Sequence, residues 1–202
     1  MIRLIKKILA VLLVICSGYV FADQLLDQIK TLINSPQIIR GNFTQTRILM
    51  GISKKLTSDG FFLIDKSKGI VWVTERPIYQ ALKVTDIGIS IGNKTNTLMK
   101  IDSLNQPSVK YINELMLAMF SGDMNSLERV FNYSGELTAK GWVLELTQKN
   151  SSSAIFKKVV INGNSTVSHI TFYTKEGDIT DINFTNVKPI TSLTKDEISL
   201  FQ

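Results

Sequence analysis

The stretch GFFLIDKSKGIVWVTERP, Gly60 to Pro77, decides the fold. Two apolar runs, Phe61–Ile64 and Ile70–Val73, flank Lys-Ser-Lys-Gly, a short polar link ending in glycine between segments rich in aromatic and β-branched side chains. That is the pattern of an antiparallel hairpin. An antiparallel strand with one wet face alternates apolar and polar residues, and neither run does so. Both faces of the sheet are therefore expected to be covered, by the protein's own helices or by something it carries. Strand alternation places Ile70 and Trp72 on one face and Val71 and Val73 on the other.

Upstream of the hairpin, Leu25, Leu26, Ile29, Leu32 and Ile33 recur at helical spacing and Pro36 follows, which predicts an amphipathic helix over Asp23–Asn34. GNFTQTRIL then alternates, with Phe43, Gln45, Arg47 and Leu49 on one side of a strand. Downstream, IYQALKVTDIGISI reads as one or two further strands. After Pro107 the spacing of Val109, Ile112, Leu115, Met116, Met119 and Phe120 predicts a helix over 108–121 with one broad apolar face. A shorter helical segment with Met124, Leu127, Val130 and Phe131 succeeds it. Four strand segments follow, GELTAKGWVLELTQK, SAIFKKVVING, STVSHITFYTKEG and DITDINFTNVK, separated by Asn, Gly and Ser, and a weak C-terminal segment closes the chain.

The order is helix, about four strands, two helices, about four strands. It predicts an α+β fold: a curled antiparallel sheet, an open half-barrel, with helices covering the concave face. Helices confined to the N-terminus and the middle can pack on only one face of such a sheet. Met116, Met119 and Met124 would line or cap a space between helices and sheet, where methionine suits a surface that adapts to flexible ligands. Ordinary core packing explains the same residues.

Residues 1–22 have the three parts of an export signal: Arg3, Lys6 and Lys7, an apolar run from Ile8 to Val14, and a small-residue exit at Val20-Phe21-Ala22. Cleavage before Asp23 is expected, leaving 23–202 as a single domain. The apolar stretch is short for a membrane span of about 20 residues, and bulky Ile15 before Cys16 argues against lipid modification. Cleavage would remove three of the 23 basic residues and leave 20 against 17 acidic, a net charge of +3. The remaining cations are scattered, which argues against nucleic acid as a partner. Without a mature cysteine the fold rests on its core, and export without disulfides suits a periplasm. Asn42, Asn93, Asn132, Asn150, Asn164 and Asn183 each begin an N-x-S/T sequon, as a chain rich in Asn, Ser and Thr generates by chance.

Catalytic chemistry finds little to use. His169 is the only histidine and lies in an alternating strand beside Ile170 and Phe172, the setting of a satisfied or exposed strand residue. With one histidine and no mature cysteine, Cys–His and metal-cluster sites are excluded. Glu176, Asp178 and Asp181 belong to a hairpin turn running into a strand, and no glycine-rich phosphate loop is present. No catalytic residue, cofactor or metal is expected.

Phe43-Thr44-Gln45, a strand opening at Gly60, a basic turn, an aromatic strand with Trp72, and Pro77 before a strand ending in Thr85-Asp86 occur in a set order. In that order and spacing the chain resembles the periplasmic outer-membrane lipoprotein carrier family, LolA. The resemblance implies an open half-barrel lidded by helices, whose cavity takes the acyl chains of a lipoprotein or lipid and carries them across the periplasm. Its partners would be an acylated lipoprotein or lipid, with an inner-membrane transporter as donor and an outer-membrane acceptor, and the carrier would be a monomer. By the same resemblance Ile70, Trp72 and Leu82 fall among the acyl-cavity residues, and Leu115, Met116, Met119 and Phe120 in the lid helix. Lys66 stands where the family has a lid-latching arginine, and the usual Arg-Pro pair is missing. A lysine offers one rotatable ammonium in place of a planar five-donor fork. The chain also ends at DEISLFQ, where LolA-like carriers continue into a Pro-rich tail and a further strand. Both departures imply a divergent carrier serving one lipid or lipoprotein pathway; a sensing or docking domain for envelope proteins on the same half-barrel is the alternative.

Overall fold

The structure is a computed structural model that describes residues 22–33, 36–85, 88–93, 96–102, 115–116, 118–120, 124–150, 154 and 156–201. The export signal therefore lies outside the described residues, except for Ala22. Helix α1 (Ala22–Leu32) is followed by β1 (Ile38–Ile48), β2 (Leu56–Asp65), β3 (Gly69–Arg76), β4 (Gln80–Thr85), β5 (Gly88–Gly92) and β6 (Thr97–Asp102). After helical residues at 115–116 and 118–120 and helix α2 (Met124–Val130) come β7 (Phe131–Thr138), β8 (Gly141–Gln148), β9 (Phe156–Gly163), β10 (Val167–Thr174), β11 (Ile179–Pro189) and helix α3 (Lys195–Ser199). All strands pair antiparallel in one sheet of order β6-β5-β4-β3-β2-β1-β11-β10-β9-β8-β7, which curls without closing.

The hairpin of the opening stretch forms as expected, with Ile64 opposite Ile70, Phe62 opposite Trp72 and Phe61 opposite Val73. Its turn is held by Asp65, which is 2% exposed. The Asp65 carboxylate accepts from Ser67 N (2.9 Å), Ser67 Oγ (2.6 Å) and Lys68 Nζ (2.6 Å). Gln37 Nε2 adds a longer bond from the strand-entry segment. Gly69 closes the turn at φ +109°, a conformation that other residues adopt only under strain. Burial alone would raise the Asp65 pKa, but the bonds from Lys68 and Ser67 outweigh it and hold the carboxyl down to about 2. A carboxyl depressed on folding stabilises the protein above its unfolded pKa of about 3.9, and the contribution fades as pH falls through about 2. Asp65→Asn should therefore lower stability by about 2 kcal/mol at pH 7 and by much less at pH 2 in urea titrations. An equal loss at both pH values would show that the ionised carboxylate is not what holds the turn.

Burial follows strand periodicity most closely in β8 and departs from it most in this hairpin. In β8, Trp142, Leu144, Leu146 and Gln148 turn inward and alternate with half-exposed neighbours. In β2 and β3, consecutive residues are buried because each face meets a different layer. Ile64, Ile70 and Trp72 join an inner cluster that runs through both halves of the sheet to Leu144, Ile161 and Ile182. Leu25, Leu26, Ile29 and Ile33 of α1 and Leu127 of α2 belong to the same cluster. Leu63, Val71 and Val73 form a separate outer cluster, packed by Phe61, Tyr79, Ala81, Leu193, Leu200 and Phe201. Ile70 and Trp72 thus do lie on the face opposite Val71 and Val73.

The outer cover corrects the expectation that helical elements would lie against only one face. The segment read as weak carries α3, a capped helix: Thr194 Oγ1 accepts from Glu197 N and the Glu197 carboxylate accepts from Thr194 N. Arg40 of β1 pairs with Glu197, and Lys83 Nζ donates to Phe201 O at 3.1 Å. With Leu193, Leu200 and Phe201 beneath it, this segment accounts for the apolar outer side of β2 and β3.

Three further differences concern strands and helix ends. β6 was not expected, because TLMKID has no clean alternation and sits at the sheet margin with Leu98 and Met99 both exposed. The stretch GELTAKGWVLELTQK, read as one strand, is split by a turn at residues 139–140 into the second half of β7 and its antiparallel partner β8. Phe131, placed on the second helix by its spacing, opens β7 instead; it is buried in the core from either element, so apolar spacing could not tell them apart. The helix expected over 108–121 is helical at 115–116 and 118–120, and its remainder lies outside the described residues.

Candidate functional site

At the middle of the inner face five rings from distant positions in the chain converge. Cross-strand pairing brings Phe62 opposite Trp72 and Phe43 opposite Phe184. Trp72 stacks on Phe43 with centroids 3.9 Å apart and meets the edge of Phe184 at 5.9 Å. Phe62 contacts Phe120 at 5.1 Å and Phe184 at 5.5 Å, and Phe120 meets Phe184 at 5.3 Å in a near-perpendicular arrangement. Edge-to-face pairs of this kind add to the stabilisation from area burial alone. Gly41 makes room for the group: a Cβ there would lie 2.4 Å from the Phe62 ring.

The residues named from sequence come together around this group. Ile70, Leu115, Met119 and Phe120 are buried in the inner cluster with Trp72, which is 8% exposed. Leu82, opposite Trp72 on β4, and Met116 are partly buried at its margin. The Met124 side chain lies outside the described residues. Lys66 is exposed in the β2–β3 turn, its backbone N–H donating to Gln37 O at 3.1 Å. Phe43, Phe62 and Phe184 were not named for the site, although the alternation of GNFTQTRIL and the apolar run of β2 contain the signal for the first two.

A second feature was not legible in the sequence. Where β1 begins and β11 ends, a cleft of about 570 Å³ opens beside the β9–β10 turn, lined by Pro36, Ile39, Ser165, Thr166, Val187, Lys188 and Pro189. Ile39 belongs to the inner cluster and Val187 packs against it, so the floor of the cleft is continuous with the aromatic group's surroundings. Three segments far apart in the chain build it, which no local pattern announces.

Polar chemistry is sparse. His169 Nε2 lies 2.5 Å from Asp181 Oδ1, which also accepts from Thr171 Oγ1, and Asn183 Nδ2 donates to Asp181 Oδ2. The histidine is thus satisfied across the β10–β11 ladder. Among the described residues no group of three or more His, Cys, Asp or Glu could hold a metal ion, and no helix is long and apolar enough to cross a membrane.

An unclosed, curled antiparallel sheet with an apolar inner face running through both halves defines an open half-barrel class. The chain belongs to the family of the outer membrane lipoprotein carrier protein LolA, whose family model matches residues 34–200. It is similar in fold to a DUF1329 family protein from Desulfovibrio piger, at 14% identity and TM-score 0.50, over 89% of this chain and 97% of that one. A LolA superfamily protein from Nitrosomonas europaea is 13% identical with TM-score 0.47, over 88% of this chain and 99% of that one. No curated protein matches the sequence at a significant level.

Proposed function

We propose that the protein is a periplasmic carrier that takes acyl chains of a lipoprotein or lipid into the inner face of the half-barrel and passes them toward the outer membrane. The observation that carries this reading is the inner cluster itself, apolar across both halves of an unclosed sheet in a member of a carrier family. On this reading α1 and the helical residues at 115–116 and 118–120 form the lid over the concave face. Leu82 and Met116 lie at the margin where an acyl chain enters, and Trp72 and Ile70 lie in its path. Donor and acceptor are membrane proteins of the envelope.

The physics of release supports it. One acyl chain of about 16 carbons gains on the order of 12 kcal/mol at about 0.8 kcal/mol per CH₂. Two chains would pass the practical ceiling of non-covalent affinity, about 18–21 kcal/mol. A carrier must therefore offset much of that gain. A site whose own rings stack together when closed does so, because a ligand must first separate Trp72 from Phe43. The docking-domain reading draws on the same stack, taken as permanent core. Native mass spectrometry of protein recovered from the cell envelope separates the two. A carrier brings acyl ligand with it; its absence, together with unchanged Trp72 emission on adding a lipopeptide in a Trp142→Phe background, would overturn the carrier reading.

Lys66 is the proposed latch. It is exposed, and its backbone bond to Gln37 survives truncation of the side chain. Lys66→Ala is expected to leave stability within about 0.5 kcal/mol, the range of surface changes, while changing the rate of acyl exchange measured by stopped-flow fluorescence. A large stability loss with unchanged exchange would make the residue structural.

A further inference from the structure

We propose that the tip of the β1–β2 hairpin is a membrane-docking element that dips Met50, Ile52 and Leu56 into the interface of a lipid bilayer while Lys54 and Lys55 meet its headgroups. The inference goes beyond the carrier reading and does not depend on it, because contact with a bilayer surface requires no cavity.

The hairpin outruns its neighbour on one side. β3 follows β2 only as far as Asp59, the partner of Arg76. Beyond that point Ser58, Thr57 and Leu56 pair, among the described residues, with Gln45, Thr46 and Arg47 of β1 alone, and β11 backs β1 as far as Ile48. Three residues carry a strand about 10 Å farther, and the turn at 49–55 extends the reach. The turn is held in place: Met50 N donates to Asp178 Oδ1 at 2.8 Å, and Ile52 N donates to Leu49 O at 3.1 Å. Its apolar side chains nonetheless stand in water, with Met50 73% exposed, Ile52 51% and Leu56 45%. Exposed aliphatic residues scattered singly are ordinary, but three within seven positions of one projecting hairpin mark a contact surface.

Size and charge select a bilayer over a protein partner. A standard protein interface takes about 800 Å² and about 20–30 residues from each side, more than one turn at 49–55 supplies. A bilayer asks only for apolar side chains that leave water, with no complementary pocket. Lysine is also depleted at protein interfaces, whereas Lys54 and Lys55 directly follow the apolar tip and no carboxylate lies between residues 49 and 56. The adjoining β10–β11 turn adds Lys175, Glu176 and Asp178, of which Asp178 is the acceptor of Met50 N. Set back from the tip, Glu75 is exposed and Arg76 pairs with Asp59 at 2.8 Å. The two turns together carry Lys54, Lys55 and Lys175 against Glu176 and Asp178, so anionic lipid is favoured modestly and insertion rests on the apolar groups.

The test is co-sedimentation of protein recovered from the cell envelope with vesicles of phosphatidylcholine alone and of phosphatidylcholine with phosphatidylglycerol. All variants share one N-terminus, so any contribution from it is common to them. Met50→Ser combined with Ile52→Ser, at exposed positions whose backbone bonds survive, is expected to lower partitioning to both vesicles about tenfold or more with an unchanged circular dichroism spectrum. Lys54→Glu combined with Lys55→Glu is expected to weaken binding to the anionic vesicles severalfold, less so at high salt, and to leave the neutral ones unchanged; an equal effect on both would remove the lysines from headgroup contact. Ile52→Trp should add to the wild-type emission a component that shifts to the blue on vesicles and is quenched by lipid brominated in its acyl chains; an added component without shift or quenching would show that the tip does not insert. Wild-type protein that stays in solution with both vesicles, or serine and wild-type chains that sediment equally, would overturn the proposal. If the serine variant instead dissolves a concentration-dependent dimer seen by sedimentation velocity while vesicle binding is untouched, the tip belongs to a contact with a second copy. Co-purified acyl ligand tests the carrier reading separately, so either can fail alone.

Discussion

Replacing Trp72 by alanine should lower the unfolding free energy by about 3–5 kcal/mol, the range for emptying a buried large aromatic position. The expectation rests on the indole's partners. Trp72 stacks on Phe43 at 3.9 Å, meets Phe184 edge-on at 5.9 Å and lies within 6.0 Å of Phe62, so its removal leaves rings of three other strands without a common neighbour. Trp72→Phe keeps a ring in place and should cost distinctly less. Urea denaturation followed by circular dichroism measures both. If the two variants unfold at the wild-type midpoint, the indole is not part of a packed group in solution and the inner face is already open. A large loss that added acyl ligand restores would be the signature of a carrier, since ligand binding to the folded state raises its apparent stability.

That experiment addresses what the sequence left open. The hairpin, the sorting of Ile70 and Trp72 from Val71 and Val73, and the shared apolar helix face of Leu115, Met119 and Phe120 were legible because they follow from periodicity, whereas the meeting of that face with Ile70 and Trp72 was implied only by the family resemblance. Alternation in a strand and three-to-four spacing in a helix are local consequences of backbone geometry. What brings Phe43 to Trp72, or Phe184 to Phe120, is the pairing of β1 with β11, strands at opposite ends of the chain whose partnership no local window contains. The cleft at Ile39, Thr166 and Val187 was hidden for the same reason. β6 was missed because an edge strand with Leu98 and Met99 both exposed need not alternate. The C-terminal segment was undervalued because its apolar residues, Leu193, Leu200 and Phe201, are few and widely spaced. They matter only against a surface built by residues over a hundred positions earlier.

The largest effect outside the inner face should come from removing that segment. A chain ending at Ser192 loses Leu193, Leu200 and Phe201, exposes Leu63, Val71 and Val73, and deprives Arg40 of Glu197. Re-exposing buried aliphatic side chains costs about 1.5–3 kcal/mol each. The freedom regained by the removed residues offsets part of this, leaving an expected net loss of several kcal/mol and a tendency to associate through the bared strip. The decisive measurement is a cycle of charge insertions. In the full chain both Ile70→Glu and Val71→Glu place a carboxylate where the native side chain is at most 1% exposed, and each should be strongly destabilising. In the shortened chain Val71 faces water, so Val71→Glu should cost little there and should suppress association, while Ile70→Glu remains as damaging as before. Equal damage from Val71→Glu in both lengths would mean that something other than the C-terminal segment covers the outer face of GFFLIDKSKGIVWVTERP.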